Sequence, residues 1–237
     1  MNQILLELKE VQKTFGSGEN EVHALKGTNL QVRAGELVAI MGASGSGKST
    51  LLTIAGGLEV ATSGDVRIVD QSLPFLKPKE LARLRRRTIG YVFQDFNLIP
   101  SLTVIENVAL PLELDGLRVK KARKAAIDAL ETMEIAALAD RFPDEISGGQ
   151  RQRVAIARSF VGPRQVLLAD EPTGALDSKT SEAVIRALRR RIDAGTAGVL
   201  VTHDAKLAAW ADRILVIRDG LIVEEINNEI SPEAFGA

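Results

Sequence analysis

The chain has 237 residues, 45% of them hydrophobic, no cysteine and a formal net charge of −1. That length and apolar content bury a core as one large domain, or as one domain with an inserted subdomain, without covalent staples. The absence of cysteine excludes disulfides and thiolate metal sites, the balanced charge argues against a dedicated nucleic-acid surface, and 4% aromatics leave little for stacking on single strands.

Residues 1–15 alternate like a strand rather than reading as a secretory leader. No run approaches the ~18 consecutive apolar residues of a membrane span, so work at a membrane would need another polypeptide to cross it. Strands are expected over 4–13 and 22–32, where apolar residues alternate, and over the apolar run 36–41, which ends at a glycine-rich turn. A helix is expected over 51–58, fraying at Gly56 and Gly57, followed by strands over 64–69 and 89–93. The composition changes near residue 95. From 103 to 133 Ala, Leu, Glu and Lys recur at helical spacing, and the helix of 118–133 carries Ile127, Leu130 and Met133 late. A further helix runs from near Gly148 to about Phe160. Strand signals return at 165–170 and 198–203, separated by a helix over 178–193, and a hairpin over 213–225 turns at Asp219–Gly220. Strands alternating with helices make this an α/β chain with a largely parallel sheet, interrupted by a helical insertion over about 95–162.

Two stretches carry chemistry. Residues 42–50, GASGSGKST, satisfy G-x-x-x-x-G-K-[ST] at Gly42, Gly47, Lys48 and Ser49, after an expected strand and before an expected helix. Gly42, Gly45 and Gly47 let the backbone curl so that N–H groups face phosphate oxygens, and the helix adds its N-terminal dipole. Lys48 supplies a point charge for the β- and γ-phosphates, and the Ser49 hydroxyl is a ligand for Mg²⁺. A flexible Gly/Ser turn is the bland alternative, disfavoured by four fixed positions with the right flanks. The apolar strand 165–170 ends in adjacent acids, Asp170 and Glu171. Adjacent carboxylates at the end of a buried strand imply a cation or a reacting group, although a solvated strand end presents acids too. Asp170 is the candidate for holding Mg²⁺ and Glu171 the candidate general base for an attacking water.

A third motif narrows the class. Ser147, Gly148, Gly149 and Gln150 open a helix and so form a second anion-binding terminus. One copy's SGGQ capping the nucleotide on another copy's loop would use both sites and predicts a head-to-tail homodimer. On these residues the chain resembles an ATP-binding-cassette (ABC) transporter nucleotide-binding subunit from about residue 4 to 226. The resemblance implies a P-loop NTPase (RecA-like) core over 1–94 and 163–237, with a mainly parallel sheet and an N-terminal antiparallel β region. It places the signature in an inserted α-helical subdomain over 95–162. It also implies an ATPase that uses ATP and Mg²⁺. ATP would lie on Phe15, Gly42, Ala43, Ser44, Gly45, Ser46, Gly47, Lys48, Ser49 and Thr50, with Ser147, Gly148, Gly149, Gln150 and Asp177 acting across the dimer. Gln94 matches the glutamine that touches Mg²⁺ or water, and Mg²⁺ would be held by Ser49, Gln94 and Asp170. His203 matches the switch histidine near the γ-phosphate, beside Glu171. Phe15 matches an adenine-stacking position where the family more often has Tyr, and Ile146 stands where Leu is usual.

Residues 91–113 and 168–180 resemble the branch containing MacB, LolD and FtsE. That branch implies a permease-type membrane partner contacted near 94–105, a place at the cytoplasmic face of the inner membrane, and either export or extraction or, alternatively, non-transport regulation of a membrane partner. No nucleic-acid partner is expected. The basic runs Arg83, Arg85, Arg86, Arg87 and Arg189–Arg191 are expected to be solvated helix faces.

Overall fold

A computed structural model of the protein describes residues 2–228. Residue 1 and residues 229–237, which the expected core segments include, lie outside the described residues. Two sheets organise the chain. Strands β1 (Ile4–Phe15), β2 (Val22–Arg33), β4 (Ser63–Ile68) and β5 (Gln71–Ser72) form an antiparallel sheet in the order β2-β1-β4-β5. Strands β3 (Leu37–Met41), β6 (Ile89–Val92), β7 (Val166–Asp170), β8 (Ala197–Val201), β9 (Arg213–Arg218) and β10 (Leu221–Asn227) form the second, in the order β10-β9-β3-β8-β7-β6. It is parallel except for β10, which returns from β9 through the expected hairpin.

The central parallel strands are apolar throughout because both of their faces are covered. In β3, Leu37 and Ala39 join one core while Val38 and Ile40 join the other. In β7, Leu167 and Ala169 divide from Val166 and Leu168 in the same way. One core lies between the two sheets and takes in helix α1 (Lys48–Ala55). The other holds buried side chains of α3 (Val104–Leu114), α4 (Val119–Thr132), α5 (Gly148–Phe160) and α6 (Ser178–Asp193). The chain therefore leaves the parallel sheet at β6, builds α3 to α5, and re-enters beside its point of departure at β7.

Several boundaries differ from expectation. Helix α1 begins at Lys48, not at residue 51, because the phosphate-loop residues Lys48–Thr50 are themselves its first turn. Strand β6 stops at Val92 and β8 at Val201, so Gln94 and His203 each lie two residues past a strand rather than on its end. The arginine runs are not simply solvated. On α2 (Pro78–Thr88), Arg85 donates to Gly57 O at 2.6 Å, and Arg86 and Arg87 both reach Asp115, at 3.3 and 2.7 Å; Arg83 is exposed. On α6, Arg189 binds Asp193 and Asp212, and Arg191 donates to Gly162 O. Arg85 and Arg191 thus tie their helices to loop carbonyls, while Arg86, Arg87 and Arg189 pair with carboxylates.

Candidate active site

A cleft of about 710 Å³ opens beyond the carboxyl ends of β3, β7 and β8, where parallel α/β sheets gather their ligand-binding loops. Its walls include Gly42, Ser44, Gly45, Gly47, Lys48, Ser49 and Thr50 after β3, Asp170 and Glu171 after β7, His203 after β8, and Gln94 after β6. The fold thus brings four separated stretches of sequence to one cavity.

The loop between β3 and α1 is shaped by close approach. Gly47 caps α1 with φ 105°, and a Cβ there would fall 2.4 Å from Ala24 O. Only glycine meets both demands. No side chain caps the α1 terminus, so its first N–H groups face the cleft. The Lys48 ammonium donates to Gly42 O at 2.8 Å and Ala43 O at 2.7 Å, which holds it at the rim of the same cavity. The β9–β10 turn braces the loop from behind: Gly220 N donates to Ser46 O at 3.0 Å, and Gly220 O accepts from Lys26 N at 3.0 Å.

On the opposite wall, Asp170 is buried at the end of β7. Burial raises its pKa, the Ser49 hydroxyl hydrogen-bonded to it and the nearby Lys48 ammonium oppose that rise, and the Glu171 carboxylate adds to it. Glu171 has left-handed backbone, φ 45°, a conformation that costs a non-glycine residue about 1 kcal/mol or more and gathers at functional sites. The turn brings its carboxylate onto the β8 loop. Glu171 Oε1 accepts from His203 N at 3.0 Å and lies 2.7 Å from His203 Nδ1, while Oε2 accepts from Thr202 Oγ1 at 3.3 Å. With a carboxylate as partner, Nδ1 carries the proton, and this hydrogen bond pushes the His203 pKa up. Thr202, fully buried, also accepts from Asp204 N at 3.1 Å.

The donor set around Asp170 fits a hard divalent cation. A carboxylate kept from water gains from such an ion, the Ser49 hydroxyl is already bonded to it, and the Gln94 amide lines the same wall. Among the described residues no group of three or more His, Cys, Asp or Glu is arranged to hold a metal ion by itself. Mg²⁺ takes few protein ligands and fills the rest of its shell with phosphate and water.

Other expected site residues lie elsewhere. Phe15 ends β1, is exposed, and carries the Lys13 ammonium 4.7 Å from its ring centroid; it is not part of the cleft wall. Ser147, Gly148, Gly149 and Gln150 open α5, also away from this wall. There Ser147 N donates to Gln150 Oε1 at 2.8 Å, and Ser147 Oγ accepts from Gln150 N at 3.3 Å. Asp177 caps α6, accepting from Thr180 N at 3.0 Å and Thr180 Oγ1 at 2.7 Å, bonds that hold its pKa down. A Cβ on Gly149 would lie 3.2 Å from the Leu176 side chain, so the α5 terminus packs on the loop before α6. Ala43 and Ser46 belong to the loop, and Ser46 Oγ is buried without a hydrogen-bond partner. Sequence reading missed Thr202 and the wall contributed by Val22, His23, Ala24 and Asp219–Gly220. The hairpin turn was legible, but nothing in its residues announced that it would abut the phosphate loop.

Comparison with known proteins places this geometry. The family model described as ABC transporter matches residues 25–174. The macrolide export ATP-binding/permease protein MacB of Shigella flexneri is 46% identical over 219 residues, 92% of this chain and 34% of that protein. The chain thus spans about one third of the length of the curated relatives it matches. Two solved structures of the cassette MJ0796 align with a TM-score of 0.91 and 43% identity, covering 96% of this chain and 100% of theirs. One is the dimeric structure of this bacterial ABC transporter cassette, the other a dimeric post-hydrolysis state bound to ADP and Pi.

Proposed function

This chain belongs to the ABC transporter family, and from that premise we propose how its cleft binds and hydrolyses ATP as one half of a two-subunit motor. The phosphate chain lies on Gly42–Thr50, with the free N–H groups of α1 and the Lys48 ammonium facing its oxygens. Phe15 stacks against the base from the end of β1. Ser49 and Asp170, with Gln94 beside them, would hold Mg²⁺, which when bound would neutralise charge on the β- and γ-phosphates. Glu171 accepts the proton of the attacking water, and His203, held by its Nδ1–H···Oε1 bond, presents Nε2 to the γ-phosphate.

The observation that carries the dimer is spatial. The P-loop, Gln94, Asp170, Glu171 and His203 share one cleft, while Ser147–Gln150, at the start of α5, is not among the residues that line it. A second copy in head-to-tail arrangement presents its Ser147–Gln150 and Asp177 to the first copy's cleft. ATP then favours the closed dimer because its γ-phosphate touches both protomers, and hydrolysis removes that differential contact. We take 95–162 as the helical subdomain that carries the signature against a core of 1–94 and 163–237.

No described helix is long and apolar enough to cross a membrane; the likeness to ATP-binding/permease proteins supports delivery of the work to permease-type membrane segments at the cytoplasmic face of the inner membrane. We place the permease contact expected near 94–105 beside a groove of about 380 Å³ that reaches that segment at Asn97 and is otherwise lined by residues such as Tyr91, Phe93, Leu110, Pro111 and Leu114, a partner helix laid in an apolar groove being an established docking mode. The likeness to MacB points to macrolide-type export as the work done.

Mixed dimers test the composite site. Lys48→Ala and Ser147→Arg proteins are each expected to be inactive, yet an equimolar mixture contains dimers with one intact composite site. Recovered ATP hydrolysis in the mixture supports the head-to-tail reading; no recovery at any ratio refutes it.

A further inference from the structure

Gln94 is an exposed residue on a loop, two positions past β6, yet the cleft needs its amide in a fixed place. The segment that follows has an unusual backbone. Phe96 and Asn97 are consecutive non-glycine residues in the left-handed region, with φ 58° and 48°. Successive left-handed residues need outside contacts to persist. The contacts come from α5. Arg158 Nη2 donates to Phe96 O at 2.7 Å and Nη1 donates to Asn97 O, so one planar fork spans both carbonyls. Two helical turns earlier on the same helix, the Arg151 guanidinium lies 5.8 Å from the Phe96 ring centroid. Asn107 fixes the far end of the segment, accepting from Ile99 N at 2.7 Å and donating to Ile99 O at 3.1 Å.

Helix α5 is itself seated directly on β6. A Cβ on Gly90 would fall 2.2 Å from Ser159 O, so only glycine lets the helix backbone rest on the strand that leads to Gln94. The Arg158 guanidinium is withdrawn from water at this contact, which pushes its pKa down to about 10, with the arginine still charged at neutral pH. A partly desolvated charge without a carboxylate partner is costly, and it is retained here on two backbone oxygens. From the other side Arg158 opens on the groove beneath Leu110 and Pro111.

We propose that Arg158 is the positioning residue for Gln94: its guanidinium clamps the Phe96 and Asn97 carbonyls and so fixes the glutamine in the cleft, tying it to the helix whose first turn is Ser147–Gln150. The proposal rests on the ATPase reading for its kinetic arm and on geometry alone for its structural arm. Lysine keeps the charge but cannot bridge two carbonyls with a planar fork.

Amide hydrogen exchange over residues 93–99, ATP turnover and fluorescent-ATP affinity are measured on wild type, Arg158→Lys and Arg158→Ala. Exchange across the segment is expected to quicken about ten-fold or more in Arg158→Ala, with kcat falling about ten-fold while KM and nucleotide affinity stay within about three-fold. Methylguanidinium, entering through the groove, is expected to restore both exchange protection and kcat in Arg158→Ala without stimulating wild type. A general loss of folding would move affinity too and would not be rescued. Wild-type exchange over 93–99 overturns the clamp, and quickened exchange with unchanged kcat overturns its role in positioning Gln94. If Arg158→Ala does not fold, Arg158→Lys decides, since wild-type exchange and turnover in that variant are incompatible with the fork. Should wild type itself bind ATP and fail to hydrolyse it, the ATPase reading falls, while the exchange data still decide the clamp.

Discussion

Two helix N-termini in this molecule carry glycine-rich anion motifs, and they are built oppositely. Helix α1 starts at a left-handed Gly47 with no side-chain cap, so its first N–H groups are left for a ligand. Helix α5 starts at Ser147, whose hydroxyl and backbone N–H are bonded to Gln150 in a reciprocal box. An uncapped terminus is unstable by itself and is stabilised by an anion; a capped terminus is stable before any ligand arrives. In the proposed dimer the first serves as the binding site within one chain, and the second, already capped, is the surface offered to a phosphate held by the other copy.

Glu171→Gln is the strongest probe of that division. It removes the proton acceptor beside His203 and leaves both termini intact, so ATP binding persists while kcat drops by about 10²–10⁴-fold and dimer accumulates on size exclusion. A purely monomeric Glu171→Gln protein at saturating ATP breaks the comparison, because the two termini would never meet. Lys48→Ala acts on the first terminus alone. Loss of one charged contact to phosphate costs about 2–4 kcal/mol, or about 30–1,000-fold in affinity by fluorescent-ATP titration. Retained affinity within a factor of two would show that the α1 loop is not the primary site.

Ser147→Arg acts on the second terminus. Nucleotide affinity is expected within about three-fold of wild type, while turnover falls by about 10²-fold or more. Equal loss of both would mean that α5 serves binding within its own chain. The smallest effect concerns pH. The Glu171 hydrogen bond raises the His203 pKa, so the pair favours the folded state fully below His203's ordinary pKa of about 6.5 and loses that contribution as pH rises through the raised value. Thermal melts of wild type and His203→Ala should therefore differ most at mildly acid pH and converge toward alkaline pH. A difference that grows with pH would contradict the Glu171–His203 pair.

The legible parts of the fold were those governed by local pattern. The alternation in 4–13, the apolar stretches within 36–41 and 165–170 and the Asp219–Gly220 turn match observed elements because burial on one or two faces dictates such patterns directly. Strand ends were less legible. The last ladder partners are Val92 and Val201, short of the expected ends at 93 and 203; Phe93 keeps the apolar character of its strand past that point, so residue type alone did not mark the end. The arginine runs were misjudged for a related reason, since Gly57 O and Asp115 are distant in sequence from the guanidiniums that reach them.

By itself the sequence determined the phosphate loop, the paired acids and the signature, because each requires particular residue types at fixed local spacing and the chemistry is written into those side chains. Only the tertiary structure decided how they divide. Parallel register puts Asp170 opposite Val201 and so sets Glu171 against His203; the β9–β10 turn reaches the phosphate loop through Gly220; and the excursion between β6 and β7 leaves Ser147 outside the residues that line the cleft while Arg158 returns to the loop after Gln94. These are contacts between residues far apart along the chain. They depend on how cores pack and where strands end, which no local spacing encodes.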